Sequence, residues 1–335
     1  MRVCLVYMLM GCGLQFAFSL DAICQIVQRN RAECEVHRVQ TVDGYQLTVQ
    51  RIPPPRNQSC PTLQPFVLMH GLIGSAGDYV AAGRASALAF QLHARCFDVW
   101  LPNARGTTES RRHRTLSARQ PAFWDFSWHE IGVYDLPAIV EHVLGVTGQR
   151  QLHYVGHSQG TTVLLVLLAQ RPDYNARFAS VVLLAPIAYL QYLSSPPLRL
   201  LASDPAGVTS IFPRILETTP AGISRGQLLH FGQLINSGKF QQYDYSSARL
   251  NSLRYGQATP PTYQLENVRL NLMLFYGNRD ALSSRRDVQH LVRELRNSRV
   301  KLYQVRGYNH IDFLYATTAP QMIYERIIQQ ARQIN

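Results

Sequence analysis

The chain has 335 residues, 46% of them hydrophobic and 16% charged, with 33 Lys and Arg against 21 Asp and Glu for a formal charge of +12. That balance suits a folded globule with a large core, and it carries no internal repeat or low-complexity run. The charge alone would fit an anionic lipid surface or a nucleic acid, but no nucleic-acid recognition motif accompanies it, so the expected partner is not nucleic acid.

In chain order, Arg2 is the sole charge before Asp21, an apolar run follows it, and Ala17-Phe18-Ser19 offers a small-residue cleavage site. Residues 1–19 read as a secretory signal peptide, too short for a membrane span. This leaves residues 20–335 as a single domain. Its removal takes Cys4 and Cys12 and leaves Cys24, Cys34, Cys60 and Cys96, an even number for an oxidising compartment. Cys24 with Cys34 would be a local staple, but the spacing leaves the pairing open. Residues 36–52 alternate around Asp43-Gly44 as a hairpin does. Beyond the rigid Pro53-Pro54-Pro55 connector, Asn57-Gln58-Ser59 is a glycosylation sequon, consistent with secretion.

Pro65-Phe66-Val67-Leu68-Met69 is a buried-strand pattern ending in a His70-Gly71 turn. The densest basic patch follows, at Arg111, Arg112 and Arg114, with Arg285-Arg286 a second pair. The most informative stretch is Gly156-His157-Ser158-Gln159-Gly160. The strand-like Gln151-Leu152-His153-Tyr154-Val155 precedes it, and a long apolar, helix-like run begins at Thr161. Strand, glycine-flanked serine and helix make a nucleophile elbow, the signature of an α/β-hydrolase with a mostly parallel sheet flanked by helices. The tight turn strains the serine backbone and holds its hydroxyl clear, above a helix N-terminus with unpaired N–H groups.

A serine hydroxyl needs a base, and the base an orienting carboxylate, in the order Ser, Asp, His for this fold. Downstream, an apolar strand pattern from Asn271 closes in Gly277-Asn278 and puts Asp280 just past its end. A second, from Val300 to Val305, is followed by Arg306-Gly307-Tyr308-Asn309-His310. Both candidates lie beyond carboxyl ends of strands, where α/β sheets place their sites. The expected catalytic set is therefore Ser158, Asp280 and His310. The backbone N–H groups of Leu72 and Gln159 are the expected oxyanion donors. Among rivals, His290 lies on a charged helical stretch and reads as a solvated face residue. His153 and His157 read as structural, Asp287 as a helix start, and Asp312 as too close to His310 to turn back on its ring.

Further segments stand in a familiar order: His70-Gly71-Leu72-Ile73-Gly74-Ser75, Asn103-Ala104-Arg105-Gly106, Phe123-Trp124-Asp125-Phe126-Ser127 and Tyr134-Asp135-Leu136-Pro137. Ser237-Gly238-Lys239-Phe240 and Tyr308-Asn309-His310-Ile311-Asp312-Phe313 continue it. With the elbow, they give a chain that resembles the acid lipase family of gastric and lysosomal lipases, most of all its insect members. The resemblance implies the same roles for Ser158, Asp280, His310, Leu72 and Gln159. It also marks a departure. The cap, at about residues 187–265, reads as shorter than the family's, lacking the cysteine-rich lid around residues 203–210. What remains is apolar and interrupted by proline.

The chemistry so read is acyl transfer to water through an acyl-serine, with no metal or organic cofactor. The expected substrate is a lipid ester, triacylglycerol before sterol ester, met at a lipid–water interface. A carboxylesterase for small dissolved esters and an inactive lipid-binding protein on the same scaffold are the alternatives. The expected location is extracellular or lysosomal; the oligomeric state is not legible.

Overall fold

The computed structural model describes residues 21–56, 59–61, 63–195 and 222–334. The expected signal peptide at 1–19, the sequon Asn57 and the stretch at 203–210 lie outside the described residues.

In chain order the main elements are α1 (Ala22–Arg29), β1 (Glu35–Gln40), β2 (Gln46–Ile52), β3 (Phe66–Met69), α2 (Leu88–His93) and β4 (Val99–Pro102). Then come α3 (Leu136–Thr147), β5 (Leu152–His157), α4 (Gln159–Gln170) and β6 (Phe178–Leu184). The remainder are α5 (Arg225–Ser237), α6 (Ala248–Tyr255), β7 (Asn271–Gly277), α7 (Arg285–Glu294), β8 (Arg299–Val305) and α8 (Glu325–Ile334). The expected hairpin, the strands around the candidate residues and the helix after the elbow all form.

The strands make one eight-stranded sheet in the order β1-β2-β4-β3-β5-β6-β7-β8. β1, β2 and β4 pair antiparallel, and every pairing from β4 through β8 is parallel. Because successive side chains point to opposite faces, each central strand feeds two cores. Val67, Met69, Trp100, Leu272 and Leu274 face the core built with α3, α4 and α7. Phe66, Leu68, Val99, Leu101, Met273 and Phe275 face the one built with α1, α2 and α8. Strands buried on both faces must be apolar throughout, which is why these read as continuous runs rather than alternations. α4 is apolar all round and buried along nearly its whole length, as a helix enclosed by its own domain must be.

Strand order reverses between β3 and β5. Crossovers from β3 run one way to β4 and, after β5, the other way to β6. The crevice at such a switch point, at the carboxyl ends of the strands, is where α/β sheets bind ligands. Two of the segments that carry the resemblance, around Arg105 and Asp135, brace this body. Arg105 is buried between carboxylates, with Nη1 2.6 Å from Asp43 and Nε 2.7 Å from Asp135. It lies 4.0 Å from the Tyr45 ring, so it pins the hairpin turn to the start of α3. The cysteines pair as Cys24–Cys34 and Cys60–Cys96, closing the choice that spacing left open. Cys24–Cys34 is the local staple, holding α1 to the lead-in of β1.

Among the described residues no helix is long and apolar enough to cross a membrane.

Candidate active site

β5 ends at His157, and the chain turns at once into α4, with Ser158 at φ 52°, ψ −118°. An L-residue reaches that region only under strain, a feature that collects at functional sites. Two glycines permit the turn. A Cβ on Gly156 would sit 2.7 Å from the Gly160 backbone, and one on Gly160 only 2.3 Å from the Met69 carbonyl oxygen. The glycine spacing thus follows from a strand, a helix and a neighbouring strand meeting at van der Waals limits.

Three of the sequence-derived residues come together here. Ser158 Oγ lies 2.8 Å from His310 Nε2. His310 Nδ1 lies 2.9 and 3.1 Å from the two oxygens of Asp280. A carboxylate only accepts, so Nδ1 carries the proton and Nε2 is the bare nitrogen facing the hydroxyl. The Asp280 side chain is fully buried while His310 keeps 16% exposure. Two further donors, the Leu282 and Ser283 N–H groups, hold one Asp280 oxygen. Burial pushes the Asp280 carboxyl upward, but the bond from His310 and these N–H groups outweigh it, and its pKa falls below the ordinary range. Serine, imidazole and ionised carboxylate in this sequence can pass a proton from Oγ to Nε2 and stabilise the resulting imidazolium.

The loop after β3 lies directly over the serine. A Cβ on Gly71 would meet Ser158 Cβ at 3.1 Å. Gly74 N–H closes a turn onto the Gly71 carbonyl at 3.2 Å, leaving Leu72 N–H out of it. His70 fixes the same carbonyl. Its Nε2 accepts from Ala104 N–H at 3.1 Å, so Nδ1 carries the proton and donates to Gly71 at 2.8 Å. Since Gly71 C=O and Leu72 N–H share one planar peptide and point opposite ways, clamping the first aims the second. Gln159 is the first residue of α4, so its N–H has no intrahelical acceptor. Its side chain accepts from Gln227 Nε2 of α5 at 3.0 Å.

The rim is apolar. Ile73, next to Leu72, is 53% exposed and Ile311, next to His310, 54%. Ile73 also adopts φ 62°, costly for a β-branched residue. A separate cavity of about 920 Å³ opens beside α5 and α6, lined by Trp124, Phe126, Tyr243, Leu250 and Leu253, and contains none of Ser158, Asp280 or His310.

The rivals fall elsewhere. His153 is buried against Phe66 with Nδ1 2.8 Å from Ser180 Oγ. Asp287 lies in the first turn of α7, its N–H donating to the N-cap hydroxyl of Ser284 and its Oδ2 accepting from that hydroxyl and from Tyr192 N–H, and Asp312 accepts from Asn309 N–H. His290 departs from its reading as a solvated face residue: it is half-buried and stacks on Tyr189 at 3.9 Å, because the chain after β6 folds back across α7. His157, read as structural, has its Nε2 2.7 Å from the His310 carbonyl oxygen, and Gln227 was not singled out at all. Only adjacency to Ser158 could have flagged the first, and nothing local flags the second. Among the described residues no group of His, Cys, Asp or Glu could hold a metal ion.

Comparison with known proteins adds the lineage. A family model described as the alpha/beta hydrolase fold matches residues 64–234, and one described as a partial alpha/beta-hydrolase lipase region matches 23–83. Lipase 1 of Drosophila melanogaster is 37% identical over 356 residues, covering 93% of this chain and 80% of the relative. Human gastric triacylglycerol lipase is 34% identical, covering 88% and 86%. Human lysosomal acid lipase/cholesteryl ester hydrolase is 33% identical, covering 89% and 88%. Among solved structures, a thermophilic esterase from Thermogutta terrifontis superposes with a TM-score of 0.54 at 16% identity, covering 90% of this chain and 99% of that one. That likeness speaks for the fold.

Proposed function

The chain belongs to the acid lipase family of α/β-hydrolases and is a carboxylic ester hydrolase, and from that premise we propose that it is a secreted lipase acting through a Ser158–His310–Asp280 triad. The observation that carries this reading is the unbroken relay from Ser158 Oγ to His310 at 2.8 Å and on to Asp280 at 2.9 Å.

In the first half-reaction Ser158 Oγ attacks the ester carbonyl carbon while His310 Nε2 takes its proton. The carbonyl oxygen becomes an anion facing the N–H groups of Leu72 and Gln159. Collapse breaks the bond to the alcohol, which leaves with the proton from His310, and the acyl group stays on Ser158. In the second half, water gives a proton to His310 and attacks the acyl-serine, and His310 returns that proton to Ser158 Oγ as the fatty acid is released. Donors of the oxyanion kind contribute roughly 2.7–4 kcal/mol each where measured. Asp280 keeps the imidazole in the required tautomer throughout.

Exposed Ile73 and Ile311 beside the working groups support an apolar acyl chain, triacylglycerol before sterol ester. The disulfides support an oxidising compartment, in keeping with a signal peptide at 1–19 and a glycan at Asn57. The cap reads as a reduced one spanning about residues 187–265.

The test is turnover of esters of rising acyl length, dissolved and emulsified, with Ser158→Ala as the blank. We expect emulsified long-chain esters to be fastest and Ser158→Ala to lose on the order of 10⁴-fold or more in kcat while its Tm is unchanged. Activity confined to short dissolved esters would make the protein a carboxylesterase. Absence of Ser158-dependent turnover would leave a lipid-binding scaffold.

A further inference from the structure

His310 reaches the site on a loop after β8, 152 residues from Ser158 in sequence. Asp280 orients its ring, but a base on a loop also needs its main chain held. The His310 carbonyl oxygen lies 2.7 Å from His157 Nε2. A carbonyl only accepts, so Nε2 of His157 carries the proton and Nδ1 is bare. That Nδ1 is buried and has no hydrogen-bond partner among the described residues. Leaving a buried polar atom unpaired costs about 1–3 kcal/mol, which an apolar ring of similar size would avoid. What imidazole has here that phenylalanine lacks is the single bond to His310.

The placement agrees. His157 is the residue before the nucleophile, its ring centroid 5.1 Å from that of His310. A Cβ on Gly71 would lie 3.2 Å from its Nδ1, so the ring is wedged between the loop after β3 and the loop bearing the base. Burial, and then repulsion from His310, push its pKa down to about 3. It therefore adds no charge beside the imidazolium that the reaction forms.

We propose that His157 is a positioning residue, whose Nε2–H fixes the main chain of His310 to the nucleophile elbow and so sets the distance between base and serine. This rests on the reading of Ser158 as nucleophile and His310 as base. His70 and His157 then divide the work, one holding the Leu72 peptide and the other the base.

The experiment takes the purified mature chain and its His157→Phe, His157→Gln and His157→Asn variants, with His310→Ala alongside. Active sites are counted with a fluorophosphonate, and turnover of p-nitrophenyl butyrate is divided by that count. The expected result for His157→Phe is a loss in kcat per site of about 10- to 100-fold, the scale of a misplaced reacting group. KM should stay within about twofold. Glutamine places its Nε2 the same number of bonds from the backbone as imidazole does, so His157→Gln should recover most of the loss. His157→Asn, one bond short, should not. Wild-type kcat per site in His157→Phe, or equal rates in His157→Gln and His157→Asn should the Phe variant not fold, would overturn the proposal. Wild-type turnover in His310→Ala would instead overturn the assignment of the base, and this inference with it.

Discussion

The sheet body and the described part of the cap are held together by different physics. In the body, Leu47, Val67, Leu152, Leu165 and Leu274 are fully buried, and backbone packs directly against backbone at Gly156 and Gly160. In the cap, α5 buries only Gln227, His230 and Leu234, and α6 only Asn251. Beyond Leu234, Phe240 and Tyr263, which join the body's apolar core, the cap is ordered by polar ties: Ser224 and Gln227 close a capping box, and Ser224 Oγ donates to the Phe126 carbonyl. His230 Nε2 donates to the Gln241 carbonyl while its ring stacks on Trp128 at 3.6 Å. Asn251 gathers Tyr245, Asp244 and Ala258. A core of apolar area tolerates small shifts but not added atoms. A lattice of hydrogen bonds keeps its shape only while each partner stays in its protonation state.

Three measurements would break or sharpen that contrast. The largest effect belongs to Gly160→Ala, whose Cβ would stand 2.3 Å from the Met69 carbonyl oxygen. It should cost stability at or above the upper end of about 1–3 kcal/mol for overpacking. It should also displace Ser158, read as a lower urea midpoint together with lost ester turnover. A silent Gly160→Ala would mean that the body yields as readily as the cap.

Next is His230→Leu, which leaves the Gln241 carbonyl without its donor and should cost about 1–3 kcal/mol. Hydrogen exchange should show α5 amides losing protection while β5 and β7 keep theirs. Equal loss in the sheet would join the two regions into one cooperative unit.

The smallest effect is a difference of slopes in acid. Burial lowers His230 and His157 to about 3 and His153 to about 4. Each is neutral in both states above the ordinary histidine range, so it has no influence there. Below that range the unfolded or opened chain binds a proton that the folded one refuses until about pH 3–4, so stability falls as pH falls. Cap opening frees only His230 of these three, whereas global unfolding frees all three. Global stability should therefore decline more steeply between pH 6.5 and 4 than the exchange free energy of α5. Parallel declines would show that acid acts on the cap alone.

Legibility in the sequence followed the range of the interaction. The elbow was readable because strand, turn and helix are contiguous and the glycines are demanded by backbone contact within that stretch. Asp280 and His310 were readable because strand patterns end just before them and the fold fixes their order. The cysteine pairing was not: spacing says nothing about which loops meet, and the Cys60–Cys96 bond spans 36 residues. The tie from His157 to His310 spans 153 residues and that from Gln227 to Gln159 spans 68. Neither leaves a periodic or local trace. His290 was misjudged for the same reason, since its stacking partner Tyr189 comes from the chain just after β6, distant in sequence.

The sheet order has a consequence for synthesis. β5 and Ser158, the proposed nucleophile, are made before β7 and Asp280, and His310 comes after all of them, beyond β8. On the proposed triad, a nascent chain still lacking residues beyond Val305 has its serine but no base, however well its earlier strands have paired. An ester hydrolase working through that triad would thus remain chemically inert until the segment after β8 emerged and docked.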